Sequence, residues 1–235
     1  MQIVIPEFAR SPYGPIVLLS VAAGFAITVL RLRKYKVEKQ TILYTCLLTL
    51  ICTLIFSLLV EFRITSEGIR MGFSGLGAVV GMVTGVFLSG LIIRDKPDIV
   101  MASFVTSAPL MYALAKNGCL LAGCCHGKPY SGPLAIVYTG GDHVGSYFPV
   151  QFIDMAVFLA IHVFALILTS RMKNKVRAVF IVIAVCIPVR FLLEYLRYYH
   201  DGSLISKGQI TVLIAGALAV ILITVWKKIL KISYK

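Results

Sequence analysis

Long apolar runs separated by short polar interruptions dominate the chain. Crossing the hydrocarbon core of a bilayer as a helix takes about 20 mostly apolar residues. Seven stretches qualify or nearly so: roughly 13–30, 41–60, 72–93, 99–115, 150–169, 178–193 and 209–226. The fourth and sixth are short and end in polar residues, as helices do when they border a protein cavity instead of bare lipid. The expected fold class is therefore an all-α integral membrane protein with seven transmembrane helices. Strand content should be close to nil apart from one short hairpin around 136–148, where Gly140-Gly141-Asp142 suits a turn.

Basic residues orient such a chain. Of the 23 Lys and Arg, fifteen fall in four places: 31–39, 94–96, 171–177 and the tail from Lys227. The remaining eight lie on the opposite side or at its border. That bias predicts an outer N-terminus and a cytoplasmic C-terminus. The first apolar run lacks a small-residue cleavage site and reads as a retained helix, not a removable signal peptide. No heptads, solenoid repeats or low-complexity linker appear, so residues 1–235 read as a single polytopic domain. Its one long non-apolar stretch, 116–148, reads as a structured outer loop, where function tends to concentrate.

Composition sharpens this picture. Hydrophobic residues make up 59% of the 235 and charged residues only 14%, against about half and a quarter in soluble domains. The formal net charge of +13 would suggest nucleic acid, yet the charges sit in short runs between apolar segments. Nucleic acid is therefore not an expected partner; the membrane is.

Ionisable groups within spans cost from about 2.5 kcal/mol upward on insertion scales, so each needs a partner or a purpose. Arg190, Glu194 and Arg197 are spaced i, i+4, i+7, which places them on one helical stripe. They form either a self-satisfied ladder at the interface or an anion site whose net positive charge suits a phosphate. Spacing leaves both readings open. Asp154, inside the fifth span and three residues after Gln151, should pair with Lys116 or Arg190. Lys116 alone reads as a snorkelling cation, and Tyr13 as an interfacial anchor.

Cys119, Cys124, Cys125 and His126 form the most chemically suggestive short stretch. Three thiols and an imidazole match a soft metal. Structural zinc sites, however, use cysteine pairs two to four residues apart, and adjacent cysteines seldom ligate one ion together. A disulfide is equally allowed on an outer face. Packing near a glycine-rich turn is the simplest account, with a metal or redox role as the lesser alternative. Gly75, Gly77, Gly81 and Gly85 recur at near-helical spacing in the third span, and small residues about every fourth position permit close helix approach.

Taken in order, these pieces resemble the prolipoprotein diacylglyceryl transferase family. The resemblance runs from Tyr13-Gly14, through Lys116-Asn117-Gly118-Cys119 to His126-Gly127, then Pro149-Val150-Gln151-Phe152, Arg190-x3-Glu194-x2-Arg197 and Gly208-Gln209-Ile210. The family signature G-R-x-G-N-F-x-N-G-E-x-x-G overlays residues 115–127 without a gap. It implies a multi-pass enzyme of the bacterial cell membrane. Such an enzyme moves the diacylglyceryl group of phosphatidylglycerol onto the lipobox thiol of a lipoprotein precursor peptide, with no metal or organic cofactor. By the same resemblance, Lys116, Cys119, Gly127, Gln151, Arg190, Arg197 and Gln209 would bind substrate, and Tyr13 and Glu194 would act in catalysis. The sequence also departs from the family. The signature Arg is Lys116, its two Asn are Cys119 and Ala122, and its Glu is Cys124. Ser74 and Phe148 stand where the family has histidines. His126 or His143 would then have to supply the base. Two other readings stay open. One is the same fold acting on another lipid or acceptor; the other is a non-enzymatic lipid-binding, redox or metal protein built on the Cys/His stretch.

Overall fold

The structure is a computed structural model that describes residues 2–6, 13–65, 68–70, 74–140, 144–198, 200 and 204–230. Seven helices cross the molecule: α1 (Tyr13–Lys34), α2 (Lys39–Glu61), α3 (Gly75–Ile92), α4 (Pro97–Ala122), α5 (Val150–Arg171), α6 (Lys175–Leu193) and α7 (Lys207–Ile229). All seven are long and apolar enough to span a membrane, as the hydropathy pattern predicts. Their outward faces keep Leu, Ile and Val exposed, for example Leu18, Leu59, Ile92 and Ile214, as a lipid-facing surface requires.

Local chemistry sets the helix ends. The Ser74 hydroxyl accepts from the N–H of Gly77 to open α3, and Asn174 does the same for α6 with Arg177. A reciprocal pair opens α7: Ser206 accepts from the N–H of Gln209, and the Gln209 side chain accepts from the N–H of Ser206. Gly123 closes α4 in the left-handed region at φ 73°, and the N–H of Cys124 bonds back to the carbonyl of Cys119.

This end of α4 differs from the sequence expectation. The fourth helix does not stop at Ala115 but continues for two more turns, so Lys116, Cys119 and Ala122 are helical and the loop begins at Gly123. Nor is it short: it is the longest of the seven, at 26 residues. Buried residues inside a helix need no apolar stripe toward lipid, which is why hydropathy alone misplaced the boundary. Pro109 and Pro188 lie within α4 and α6 and remove one ladder hydrogen bond from each.

Among the described residues, five short strands lie at the end of the bundle that holds the C-terminus of α4. The expected hairpin is present as β4 (Ile136–Tyr138) with β5 (Gly145–Tyr147), antiparallel. Gly140 is described, whereas Gly141, Asp142 and His143 lie outside the described residues. Unforeseen in the sequence, β1 (Ile3–Ile5) adds to β4 in parallel, so the chain's beginning is tied to the loop. A further hairpin, β2 (Arg63–Thr65) with β3 (Gly68–Arg70), joins α2 to α3.

The main apolar core gathers Leu32, Met82, Val86, Met101, Phe104 and Trp226 at the other half of the bundle. α2 packs most extensively on α3, and α4 on α1 and α5. The α2–α3 seam rests on glycine: Cβ atoms added at Gly77, Gly81 and Gly85 would run into backbone atoms of Phe56, Cys52 and Thr49. Gly75, at the start of the helix, faces open space and takes no part.

Candidate functional site

Because α4 continues to Ala122, Tyr112, Lys116 and Cys119 fall at i, i+4, i+7 on one of its faces. Lys116 is buried, with Nζ 3.4 Å from Oδ2 of Asp154 on α5 and 4.8 Å from the centre of the Tyr112 ring. On the neighbouring face, Gly118 lets the Tyr13 ring of α1 pack closely, since a Cβ there would stand 3.2 Å from that ring.

Asp154 is the hub. Its Oδ2 also meets the Arg197 guanidinium at 2.5 Å, and both side chains are fully enclosed. Arg197 reaches Glu194 through Nε at 3.2 Å, and Glu194 accepts from Arg190 at 2.5 Å. Lys116, Arg190 and Arg197 against Asp154 and Glu194 leave one positive charge in excess. Isolated ions would each cost several kcal/mol to bury here, so the alternating order of charges is what makes the cluster tolerable. The partner expected for Asp154 is half right: Lys116 takes part, but Arg197 replaces Arg190.

The helical stripe expected for Arg190, Glu194 and Arg197 is corrected. α6 ends at Leu193, residues Glu194–Leu196 form a single 3-10 turn, and Arg197 is extended (φ −85°, ψ 150°). The three still meet, but through a tightened turn. Its consequence is that Arg197 turns back onto Asp154, while Arg190, still within α6, pairs with Glu194. Gly208, at the start of α7, makes room for this: a Cβ there would collide with Oε1 of Glu194.

Arg190 instead faces a cavity of about 130 Å³ between α3, α4, α6 and α7, roughly ten times the space one water needs. Val79, Met82, Val105, Ile183 and Val212 give it apolar walls, with Arg190 and Tyr112 as its polar members. Tyr112 joins the cavity to the ion cluster: its hydroxyl lies 3.4 Å from Arg197, and its ring lies near both Lys116 and Arg190.

The loop after α4 is fastened to the same cluster. Arg197 donates to the carbonyl of Cys125 at 2.9 Å, and residues 126–128 pair with 196–198. On its other side Gly127 lets residue 148 come close, because a Cβ there would meet the carbonyl of Phe148. Gln151 is buried and donates to the carbonyl of Cys124 and the hydroxyl of Tyr138. Burial pushes the Tyr138 phenol up, so it stays protonated and donates to the carbonyl of Leu120.

His126 is buried among the rings of Tyr138, Tyr147 and Tyr198, with Nδ1 3.2 Å from its neighbour's carbonyl at Gly127. Those contacts pack it within the loop, and it is not among the residues that line the cavity. His143, the other expected base, lies outside the described residues. Gln209 is also buried; besides capping α7 it donates to the carbonyl of Phe191 at 3.2 Å, holding α7 against α6.

Cys119, Cys124 and Cys125 converge, with all three sulfurs within 4.8 Å of one another. Two left-handed residues bring this about: Gly123 turns the chain back, and Cys125, at φ 56°, swings its side chain beside that of Cys124. Hydrogen bonds from Cys119 and Cys124, with the charges of Lys116 and Arg197, hold the Cys125 thiol well below the ordinary thiol range. The hydrogen bonds with Cys119 and Cys125 push Cys124 the other way, aided by burial. All six cysteines of the chain are free thiols.

Comparison with known proteins identifies the family. The family model for prolipoprotein diacylglyceryl transferase matches residues 1–226. The chain belongs to that family. A phosphatidylglycerol–prolipoprotein diacylglyceryl transferase from Dehalococcoides mccartyi is 23% identical over 223 residues, covering 88% of this chain and 86% of the relative. One from Clostridium tetani is 30% identical over 148 residues, covering 59% and 57%. A second clostridial relative, from Clostridium perfringens, is 27% identical over 157 residues, covering 63% and 60%.

Within this family member, sequence reasoning overlooked Tyr112 and the central place of Asp154. The signal for Tyr112 was present: it lies one helical turn before Lys116, and it becomes visible once α4 is carried past Ala115. Arg190, Glu194, Arg197, Lys116, Gln151 and Cys119 do come together at one end of the bundle. Gln209 and Gly127 serve the backbone around them.

Proposed function

We propose that the chain transfers the diacylglyceryl group of phosphatidylglycerol to the thiol of a lipoprotein precursor. The observation that carries this reading is the apolar cavity that ends on Arg190, the one guanidinium among its lining residues, beside a buried cluster with one positive charge in excess. An acyl chain suits the walls, and a phosphate suits the guanidinium.

In this mechanism Arg190 binds the phosphate of the lipid. As the acceptor sulfur attacks the glycerol carbon, the C–O bond to phosphate breaks, and charge builds on the departing phosphate. Arg190 stabilises that charge, while Glu194 holds the guanidinium in place at 2.5 Å. Arg197 and Lys116 are held by Asp154 and act as fixed positive charges behind it. Two buried acceptors, Oε1 of Gln151 and Oδ1 of Asp154, have no hydrogen-bond partner among the described residues. Buried acceptors ordinarily find a donor, and the hydroxyls of a glycerol headgroup are donors of the right kind. The reading also places this end of the bundle on the outer face of a bacterial plasma membrane, supported by the basic residues gathered at the opposite end.

Transfer of a labelled diacylglyceryl group from phosphatidylglycerol to a lipobox peptide, with purified protein in detergent, tests the reading. Product is expected from the native chain and should be lost with Arg190→Ala. A folded protein that forms no product, beside an active control enzyme, would turn the site over to another lipid or acceptor. The thiols at polar positions of the family signature are the reason to include other phospholipids in the same assay.

A further inference from the structure

The thiol cluster makes none of the ion pairs and does not line the cavity, but it adjoins both: Arg197 donates to the carbonyl of Cys125, and Cys119 lies one helical turn beyond Lys116. We propose that Cys119, Cys124 and Cys125 hold a zinc ion whose fourth position receives the acceptor thiol. This deepens the transferase reading and rests on it.

Three sulfurs lie within 4.8 Å of one another, from one helical turn and one loop. Zinc–sulfur bonds of about 2.3 Å in a tetrahedron set sulfurs roughly 3.8 Å apart, so about half an ångström of movement by each would close the site. The objection that adjacent cysteines seldom share an ion is met by the backbone: the left-handed Cys125 brings consecutive side chains to one point. His126 is not one of this group and is packed among three tyrosine rings, leaving three protein ligands. Three ligands and one open position are the pattern of a catalytic zinc, as opposed to a closed structural one. Cys124 and Cys125 are partly exposed, which gives an entry path, and Arg197 lies beside the site, donating to the carbonyl of Cys125.

The chemistry fits what the reaction needs. A thiol must be deprotonated before it can attack carbon, and the resemblance leaves this chain with cysteines where the family has a signature Asn and Glu. On binding zinc, the acceptor thiol gives its proton to water and stays nucleophilic as a zinc thiolate. Its sulfur then forms the new C–S bond, and the electron pair of the broken C–O bond leaves with the glycerol phosphate. Zinc keeps its charge state throughout.

The test uses the whole chain in detergent, incubated with one equivalent of zinc and dialysed, followed by metal analysis. One zinc per chain is expected, falling to none with Cys119→Ser or Cys124→Ser and unchanged with Cys46→Ala. Cobalt in place of zinc should show sulfur-to-metal charge-transfer absorption, and a lipobox peptide should shift the cobalt visible bands while its Cys→Ser version leaves them alone. Absence of zinc from the native chain, or cobalt bands indifferent to the peptide thiol, overturns the proposal. Product formed by zinc-free protein would discard the zinc site and leave the transferase reading standing. Zinc bound with a peptide-sensitive spectrum but no diacylglyceryl product would do the reverse.

Discussion

Two regions of the bundle bring helices unusually close, and they do so by opposite means. Along the α2–α3 seam, Gly77, Gly81 and Gly85 remove side chains so that backbone meets backbone. At the far end of α4, α5 and α6, the helices are drawn together by a cluster of five charges, with Asp154 between Lys116 and Arg197, and Glu194 between Arg197 and Arg190. In the first region each glycine acts locally and the energy is dispersion spread over many atoms. In the second, each group is tolerable only because of the next, so the removal of one strands its partners. The seam is a packing surface; the charged end is where chemistry can be done.

The largest effect should come from stranding a charge. Asp154→Ala leaves Lys116 and Arg197 buried together without their carboxylate and should cost about 3–5 kcal/mol, read as lost folded protein or a lower Tm. The triple variant Asp154→Leu with Arg197→Met and Lys116→Met should recover much of that stability but no transfer activity. Recovery of neither would show that the cluster does more structural work than alternating charge explains.

Next comes Arg190→Ala. Because this guanidinium faces the cavity, transfer should fall by a factor of about 10²–10³, comparable to the loss of one preorganised charge-stabilising donor. Tm should change by little. Arg190→Lys keeps the charge without the fork and should fall between the two. Equal activity across the three proteins would remove Arg190 from phosphate binding.

The seam should respond more mildly and only in stability. Gly81→Val pushes a branched side chain into the backbone of Cys52 and should cost about 1–3 kcal/mol, since α2 can shift by a fraction of an ångström. Gly75→Ala, facing open space, is the internal control and should be neutral. Smallest is Gln209→Ala. Losing one half of the α7 cap should cost about 1 kcal/mol, seen as a few degrees of Tm, with KM for lipid unchanged. A raised KM without a change in Tm would return Gln209 to substrate binding.

Much of the architecture was legible from residues alone. Apolar run lengths predict seven helices, because a lipid solvent makes length and hydropathy nearly sufficient conditions for a span. The every-fourth-residue glycines announce close approach, and Gly140-Gly141 announces a hairpin, because both are local backbone statements. The order Lys116, Gln151, Arg190, Glu194, Arg197 likewise marks where polarity gathers. Sequence was silent wherever the answer lay in a partner from another element. Hydropathy ended α4 at Ala115, since a helix buried within protein can carry polar residues that meet partners on other helices, and Tyr112 was missed with it. Helical spacing put Arg190 and Arg197 on one stripe. Only the packed bundle shows Asp154 capturing Arg197, while Arg190 faces the cavity. Spacing likewise counted against Cys124 and Cys125 acting together, yet a left-handed turn joins their sulfurs to that of Cys119. The number of spans and the positions of the charges belong to the sequence, because lipid imposes them residue by residue. Which charge neutralises which, and which one remains to meet a substrate, belongs to the tertiary structure, because electrostatics in a buried site depends on distances that no linear spacing contains.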